Sequence, residues 1–237
     1  MVRLNKFIAD SGHASRRRAD QLILEGVVSV NGAIVTELGT KIKPTTDVVK
    51  VGGVLLSKPE KLTYIMLNKP KGCVTTASDE HGRKTVYDYL KNVTARVFPV
   101  GRLDYDTEGL LLLTNDGALT HALTHPSREV GKTYTVKIEG ALHEAELATM
   151  RKGVKLADDD KKTAPAKIKI VSEGAISTYK LTIFEGRNRQ VKRMFEAFEK
   201  NVIFLKRVSI GDLKLGGLAR GTHRDLGEHE VAYLKEL

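Results

Sequence analysis

Two stretches of this chain gather side chains that could do chemistry. Gly101-Arg102-Leu103-Asp104-Tyr105-Asp106-Thr107-Glu108-Gly109 sets four charged side chains between two glycines, directly ahead of the apolar run Leu110 to Leu113. A polar cluster on a loop at the edge of a buried strand is a frequent functional site, although turns share that composition. Glu185-Gly186-Arg187-Asn188-Arg189-Gln190 runs on into Lys192 and Arg193, ahead of the amphipathic residues Val191, Met194, Phe195 and Phe198. With Asn188 as helix cap, the basic side chains sit at a helix start, against the preference of the helix dipole. Residues placed against that preference describe an anion-binding surface. Arg16, Arg17 and Arg18 repeat the arrangement behind Ser15, a second cap. Three guanidiniums beside unpaired backbone N–H groups favour a phosphate-contacting face over a merely solvated one.

Other chemistries find little support. His121 and His125 stand four apart and could share a metal, but Ala122 follows the first and no third ligand is evident. Neither phosphate-binding glycine motif, G-x-x-x-x-G-K-[ST] or G-x-G-x-x-G, occurs, and no G-x-S-x-G elbow is present. The single cysteine, Cys73, excludes an internal disulfide and a Cys-rich zinc site. No metal and no cofactor are therefore expected.

Composition agrees with an anionic partner. Lys and Arg number 39 against 29 acids in 237 residues, a formal charge of +10. A field of that sign attracts RNA, DNA or anionic membrane. No apolar run approaches the ~20 residues of a membrane helix, and the first residues hold no signal-peptide core. A cytoplasmic protein without membrane contact is expected. Without Trp and with 5% aromatics, its core must be aliphatic.

The elements that must position these stretches can be read in outline. Leu4, Phe7 and Ile8 recur at helical spacing, and a second helix behind Ser15 turns Ala19, Leu22 and Ile23 inward. Asn31-Gly32 between two β-branched runs predicts a hairpin, and a second follows around Gly52-Gly53. Ser57 to Lys61 reads as a linker. Beyond it, strands are expected at Leu62 to Leu67, at Leu110 to Thr114, around Tyr134, Val136 and Ile138, around Tyr179, Leu181 and Ile183, and at Val202 to Leu205. Helices are expected at Val86 to Leu90, behind Asp116, from Leu142 to Lys152, and through Phe195. The charge run at 158–162 reads as a solvated loop. This order suits an α+β fold with a mixed, largely antiparallel sheet flanked by helices.

The same stretches resemble a known family. GRLDYDTEGLLLLTND resembles the central motif of the bacterial ribosomal RNA pseudouridine synthases, EGRNRQVKRMF their later basic motif, and Lys132-Thr133-Tyr134 their short Lys-x-Tyr motif. Leu67-Asn68-Lys69-Pro70-Lys71-Gly72 resembles the segment that opens their catalytic domain. RLNKFIADSGHASRRRADQLILEGVVSVNG is similar to an S4 RNA-binding domain. The likeness spans essentially the whole chain, with the motifs in order. One departure is Lys192, basic where related families often carry Arg, which keeps the charge but not a bidentate fork.

The resemblance implies an S4-like module at 1–60 and a pseudouridine-synthase domain at 62–237. It implies isomerisation of a uridine in ribosomal RNA, with spelling closer to the group acting on 23S rRNA than to the 16S enzymes. Asp104 would be the nucleophile and Lys192 would pair with it. Tyr134 would stack on the uracil, and Arg102 would fill the space left by a flipped base. Arg187, Arg189 and Arg193 would contact phosphates, as would Arg16, Arg17 and Arg18. The partner would be ribosomal RNA or an assembly intermediate, bound by a monomer. A rival reading is a non-catalytic RNA-binding assembly factor with the same fold, for which replacing Asp104 changes nothing. A DNA-binding regulator would need a recognition helix or zipper, and neither is found.

Overall fold

The chain opens with β1 (Val2–Arg3), which leads directly into α1 (Leu4–Asp10), and α2 (Arg16–Leu24) follows after a tight turn. Ser15 caps α2, its Oγ accepting the Arg18 backbone N–H at 3.1 Å. Next come β2 (Val28–Val30), β3 (Ala33–Ile34), β4 (Lys41–Ile42), β5 (Val49–Val51) and β6 (Val54–Leu55). The β2–β3 hairpin turns on Asn31 (φ 51°) and Gly32 (φ 86°), the left-handed pair that a two-residue hairpin requires. The strands order as β3-β2-β5-β6, with β1 paired to β4. Leu4, Phe7, Ile8, Ala19 and Ile23 pack on Val28, Ile42, Val49 and Val51 to form an aliphatic core.

This computed structural model describes residues 1–56 and 61–237 and divides into two units, Met1–Leu62 with Thr94–Arg96, and Thr63–Val93 with Val97–Leu237. Apart from Lys61, the linker expected at Ser57 to Lys61 lies outside the described residues.

The second unit is built on a nine-stranded sheet. Its elements are β7 (Tyr64–Lys69), β8 (Phe98–Pro99), β9 (Glu108–Thr114), α3 (Gly117–Thr124), β10 (Lys132–Glu139), α4 (Glu144–Lys152), β11 (Lys167–Ser172), β12 (Ile176–Ile183), α5 (Gln190–Glu196), β13 (Val202–Ile210), β14 (Leu213–Lys214), β15 (His223–Asp225) and α6 (Glu228–Glu236). The order is β11-β12-β10-β13-β9-β7-β15, with β14 on β13 and β8 on β9. The β13–β9 pair is parallel and the other pairs are antiparallel, so the fold is α+β on a mixed, mostly antiparallel sheet.

Alternation places Tyr134, Val136 and Ile138 of β10 and Tyr179, Leu181 and Ile183 of β12 on one buried face. There the ring of Phe195, on α5, lies 6.1 Å from that of Tyr179. A second core gathers Met66, Leu110, Leu112, Leu119, Leu123, Ile210 and Leu234. Three expected elements shift. The strand placed at Leu62 to Leu67 is β7, two residues later, because it pairs along β9 until Lys69 meets Gly109. The strand ending at Leu205 runs on to Ile210, held by β10 on one side and β14 on the other. The segment Val86–Tyr89 is a 3-10 turn rather than an α-helix.

Candidate active site

The loop Arg102 to Thr107 is pinned from below. Lys69, at the end of β7, is fully buried and donates from Nζ to three carbonyls, those of Pro70 (3.1 Å), Asp104 (2.9 Å) and Thr107 (3.0 Å). Burial pushes its pKa below the usual lysine value, while neighbouring carboxylates oppose that shift. Thr75 Oγ1 donates to the Leu103 carbonyl at 2.7 Å, and Gly72 N–H to the Tyr105 carbonyl at 2.9 Å. Gly109 then follows Glu108 in the parallel run against β13, at φ 109°, where a Cβ would stand 2.1 Å from the Arg207 carbonyl oxygen. Only glycine allows the two backbones to approach that closely. The loop's outline thus follows from strand pairing behind it.

A cavity of about 590 Å³ opens beside the loop, lined by residues that include Arg102, Asp104, Tyr134, Arg187 and Arg189. Tyr134 is 8% exposed. The Asp104 carboxylate accepts no hydrogen bond and joins no ion pair among the described residues, although its backbone carbonyl is held by Lys69. Lys132 and Arg207 also line the cavity. Arg207 is 4% exposed; its Nε donates to the Leu110 carbonyl at 2.7 Å, and one terminal nitrogen is buried without a partner. Burial, and then the charge of Arg207, hold Lys132 below the usual lysine range. Two carboxylates line the cavity with arginines, a lysine and one tyrosine: Glu185, engaged by Arg187 (3.3 Å) and Gln190 (2.9 Å), and Asp104, which stays unpaired among the described residues. Such a site suits an anionic ligand that brings its own reacting group to Asp104.

Some expected roles move. Lys192 does not pair with Asp104: its ammonium bonds Asp106, and neither residue lines the cavity. The turn over Tyr105 and Asp106 separates the two carboxylates, and only the second meets the buried lysine of α5. Asp106 is therefore the ion-pair partner of Lys192. Partial burial raises its carboxyl, but the hydrogen bond and charge of Lys192 outweigh this and hold it below the usual carboxylate range. Asn188 is not the cap of α5; Arg189 takes that position at φ 48°.

Arg187 spends its guanidinium inside the protein, on the Lys161 and Lys162 carbonyls (2.8 and 2.7 Å) and on Asp159 (3.2 Å). Arg193 lies 3.2 Å from Asp159 as well. The run at 158–162 is an exposed loop, as expected, and Asp159 within it is the point at which Arg187 and Arg193 engage it. Arg189 remains exposed, paired with Glu196 at 3.2 Å. Arg16, Arg17 and Arg18 are exposed at the head of α2 in the first unit, and Arg18 reaches Glu25 at 2.7 Å. The rings of His121 and His125 stand 4.9 Å apart, and the described residues hold no cluster of three or more His, Cys, Asp or Glu able to grip a metal.

Sequence reasoning quoted Lys69 and Lys132 within motifs but gave neither a role, and it missed Arg207, whose inward position on β13 was the available signal for a cation at the cavity.

Comparison with known proteins agrees with this geometry. The profile described as RNA pseudouridylate synthase matches residues 63–197, and that of the S4 domain residues 2–55. The chain is 48% identical to the ribosomal large subunit pseudouridine synthase B of Bacillus subtilis (strain 168), covering 100% of this chain and 97% of that one. It is 40% identical to the protein of the same name from Escherichia coli O157:H7, covering 99% and 83%. A crystal structure of a pseudouridylate synthase superposes with a TM-score of 0.73 at 37% identity, covering 99% of this chain and 100% of that one. Helices long and apolar enough to cross a membrane are absent among the described residues. With its central and basic motifs brought together around one cavity and its full length matched by these relatives, the chain belongs to the RNA pseudouridylate synthase family and is a pseudouridine synthase.

Proposed function

We propose that this synthase converts one uridine of ribosomal RNA, in the 23S molecule, into pseudouridine, with Asp104 as the nucleophile. The reaction breaks the N1–C1′ bond, turns the base and joins C5 to C1′; the proton lost from C5 is balanced by one gained at N1. It consumes no second substrate, and one carboxylate suffices to open it. The observation that carries the reading is the unpaired Asp104 carboxylate in a cavity whose lining also includes Arg102, Lys132, Tyr134, Arg189 and Arg207. A base must leave its stack to enter such a cavity. Tyr134 offers a ring for the uracil, Arg102 stands exposed at the rim to take its place in the helix, and Arg189 supplies charge for the backbone phosphates.

The large-subunit assignment rests on the two relatives named synthase B. In this reading residues 62–237 form the catalytic domain, and residues 1–60, with Arg16 and Arg17 exposed, grip structured RNA by its phosphates in the cytoplasm.

The test is carbodiimide mapping of pseudouridine in ribosomal RNA from cells lacking the protein, complemented by the natural sequence or by Asp104→Asn. Loss of one 23S site, restored only by the natural sequence, is the expected result. Equal restoration by Asp104→Asn would overturn the nucleophile, and a lost 16S site would overturn the subunit.

A further inference from the structure

The face of the large sheet opposite the cavity carries its own pattern of charge. Tyr134, Ile183, Leu205 and Arg207 line the cavity, so their strand neighbours point the other way. Across four strands on that outer face, register sets Lys169 opposite Lys180, Lys180 opposite Thr135, and Thr135 opposite Lys206. Lys169 and Lys180 are exposed and Lys206 half-buried. One row over, Lys137 stands opposite Phe204, and the ammoniums of Lys137 and Lys71 lie 5.6 and 5.5 Å from that ring's centroid. Among the described residues none of these five lysines joins an ion pair, although Arg83, Arg151, Arg187, Arg189 and Arg224 all do. The row ends on a carboxylate, Glu108, which stands opposite Lys206 in register on β9 and is buried and held by Arg220 at 3.4 Å; Glu139 lies at the far end of β10.

Like charges directly opposite on neighbouring strands destabilise a sheet. Here that cost is incurred at Lys169 and Lys180, and again where two ammoniums share one ring, with no carboxylate interleaved. A sheet face arranged this way is completed by an external polyanion. The row from Lys169 to Lys206 spans three strand spacings, about 14 Å, room for consecutive phosphates of one RNA strand. It offers ammoniums, a threonine and one ring, and lacks the apolar pocket around which protein partners anchor.

We propose that this lysine-bearing outer face, built on β10–β13, is a second RNA-docking surface that holds the backbone of a helical segment away from the catalytic cavity. It does not depend on Asp104 or on which uridine is modified. A-form RNA presents phosphates and 2′-hydroxyls rather than readable base edges, which suits a flat cationic face.

The test titrates the full-length protein and its Lys169→Gln/Lys180→Gln/Lys206→Gln variant with a labelled RNA duplex of about 16 base pairs and with a polyglutamate peptide, over a range of salt. Glutamine keeps most of each side chain's length, and relief of like charge leaves the variant's melting temperature equal to or above the parent's. The expected result is an RNA affinity lowered at least about 10-fold, with the slope of log K against log salt flatter by about 2. The readout is duplex affinity and its salt dependence, not pseudouridine formation, so failure of this proposal and failure of the nucleophile assignment give different results. An unchanged RNA affinity and slope in the triple variant, or loss confined to polyglutamate, would overturn the proposal.

Discussion

Asp106→Asn is the sharpest probe of how the loop is held, because the structure gives Lys192 to Asp106 and leaves Asp104 unpaired. The Lys192 side chain is 8% exposed and that of Asp106 55%. Removing one partner of a fully buried pair costs about 3–5 kcal/mol, since a charge is left without compensation. Here water already reaches the carboxylate, which scales the effect towards that of a surface pair. The amide also retains an acceptor for the ammonium. About 1–2 kcal/mol is expected for Asp106→Asn, a fall in melting temperature of about 3–6 °C for a chain of this size.

Lys192→Met removes the buried charge itself and leaves a carboxylate that water can solvate, so it should cost less than about 1 kcal/mol. The double variant should lie near Lys192→Met alone, since the uncompensated ammonium is gone. Asp104→Asn should melt with the parent. Thermal unfolding followed by circular dichroism at one ionic strength decides the matter. If Asp104→Asn loses stability while Asp106→Asn does not, the ion pair belongs to Asp104 and the reasoning fails. Activity separates the two aspartates as well. Asp106 lies off the cavity and its variant should still form pseudouridine, whereas Asp104→Asn should lose at least about 10³-fold.

The remaining predictions concern acid and the backbone. The Asp106 carboxyl is held below its ordinary value of 3.8, so the pair's stabilisation is present above that value and is lost as pH falls through the lower, folded one. The stability gap between the parent and Asp106→Asn should therefore close on acidification below about pH 3.8, as urea titrations across that range would show; a gap that widens instead would reverse the sign argued here. Gly109→Ala should cost more than about 3 kcal/mol or prevent folding, because φ is 109° and the new Cβ would meet the Arg207 carbonyl at 2.1 Å. A melting temperature within a degree or two of the parent's would mean that β13 can move aside.

Much of the frame was legible residue by residue. Helices α1 and α2, the Asn31-Gly32 hairpin and the Asp116 cap of α3 are local devices, set by spacing, φ freedom and a side-chain oxygen within a few residues of its donor. The alternation in β10 and β12 fixed which face each strand buries. Asp104 and Tyr134 were both named from their motifs, and the fold brings them to one cavity.

What the sequence alone could not decide was who pairs with whom across the chain. Whether Lys192 meets Asp104 or Asp106 depends on a turn of two residues and on where α5 docks, 86 positions away. Arg187 and Arg193 read as free cations because the acids that engage them lie some 30 residues back, on a loop with no pattern of its own. Lys69 supports the loop because β7 extends two residues beyond the expected strand end and pairs Lys69 with Gly109 of β9, which carries it inside. Spacing and propensity act over a turn or a strand, so the sequence determined the elements and the residue types at the site. Ion-pair choice, strand register and the fate of buried charge are settled by contacts between distant segments, and only the tertiary structure decided them.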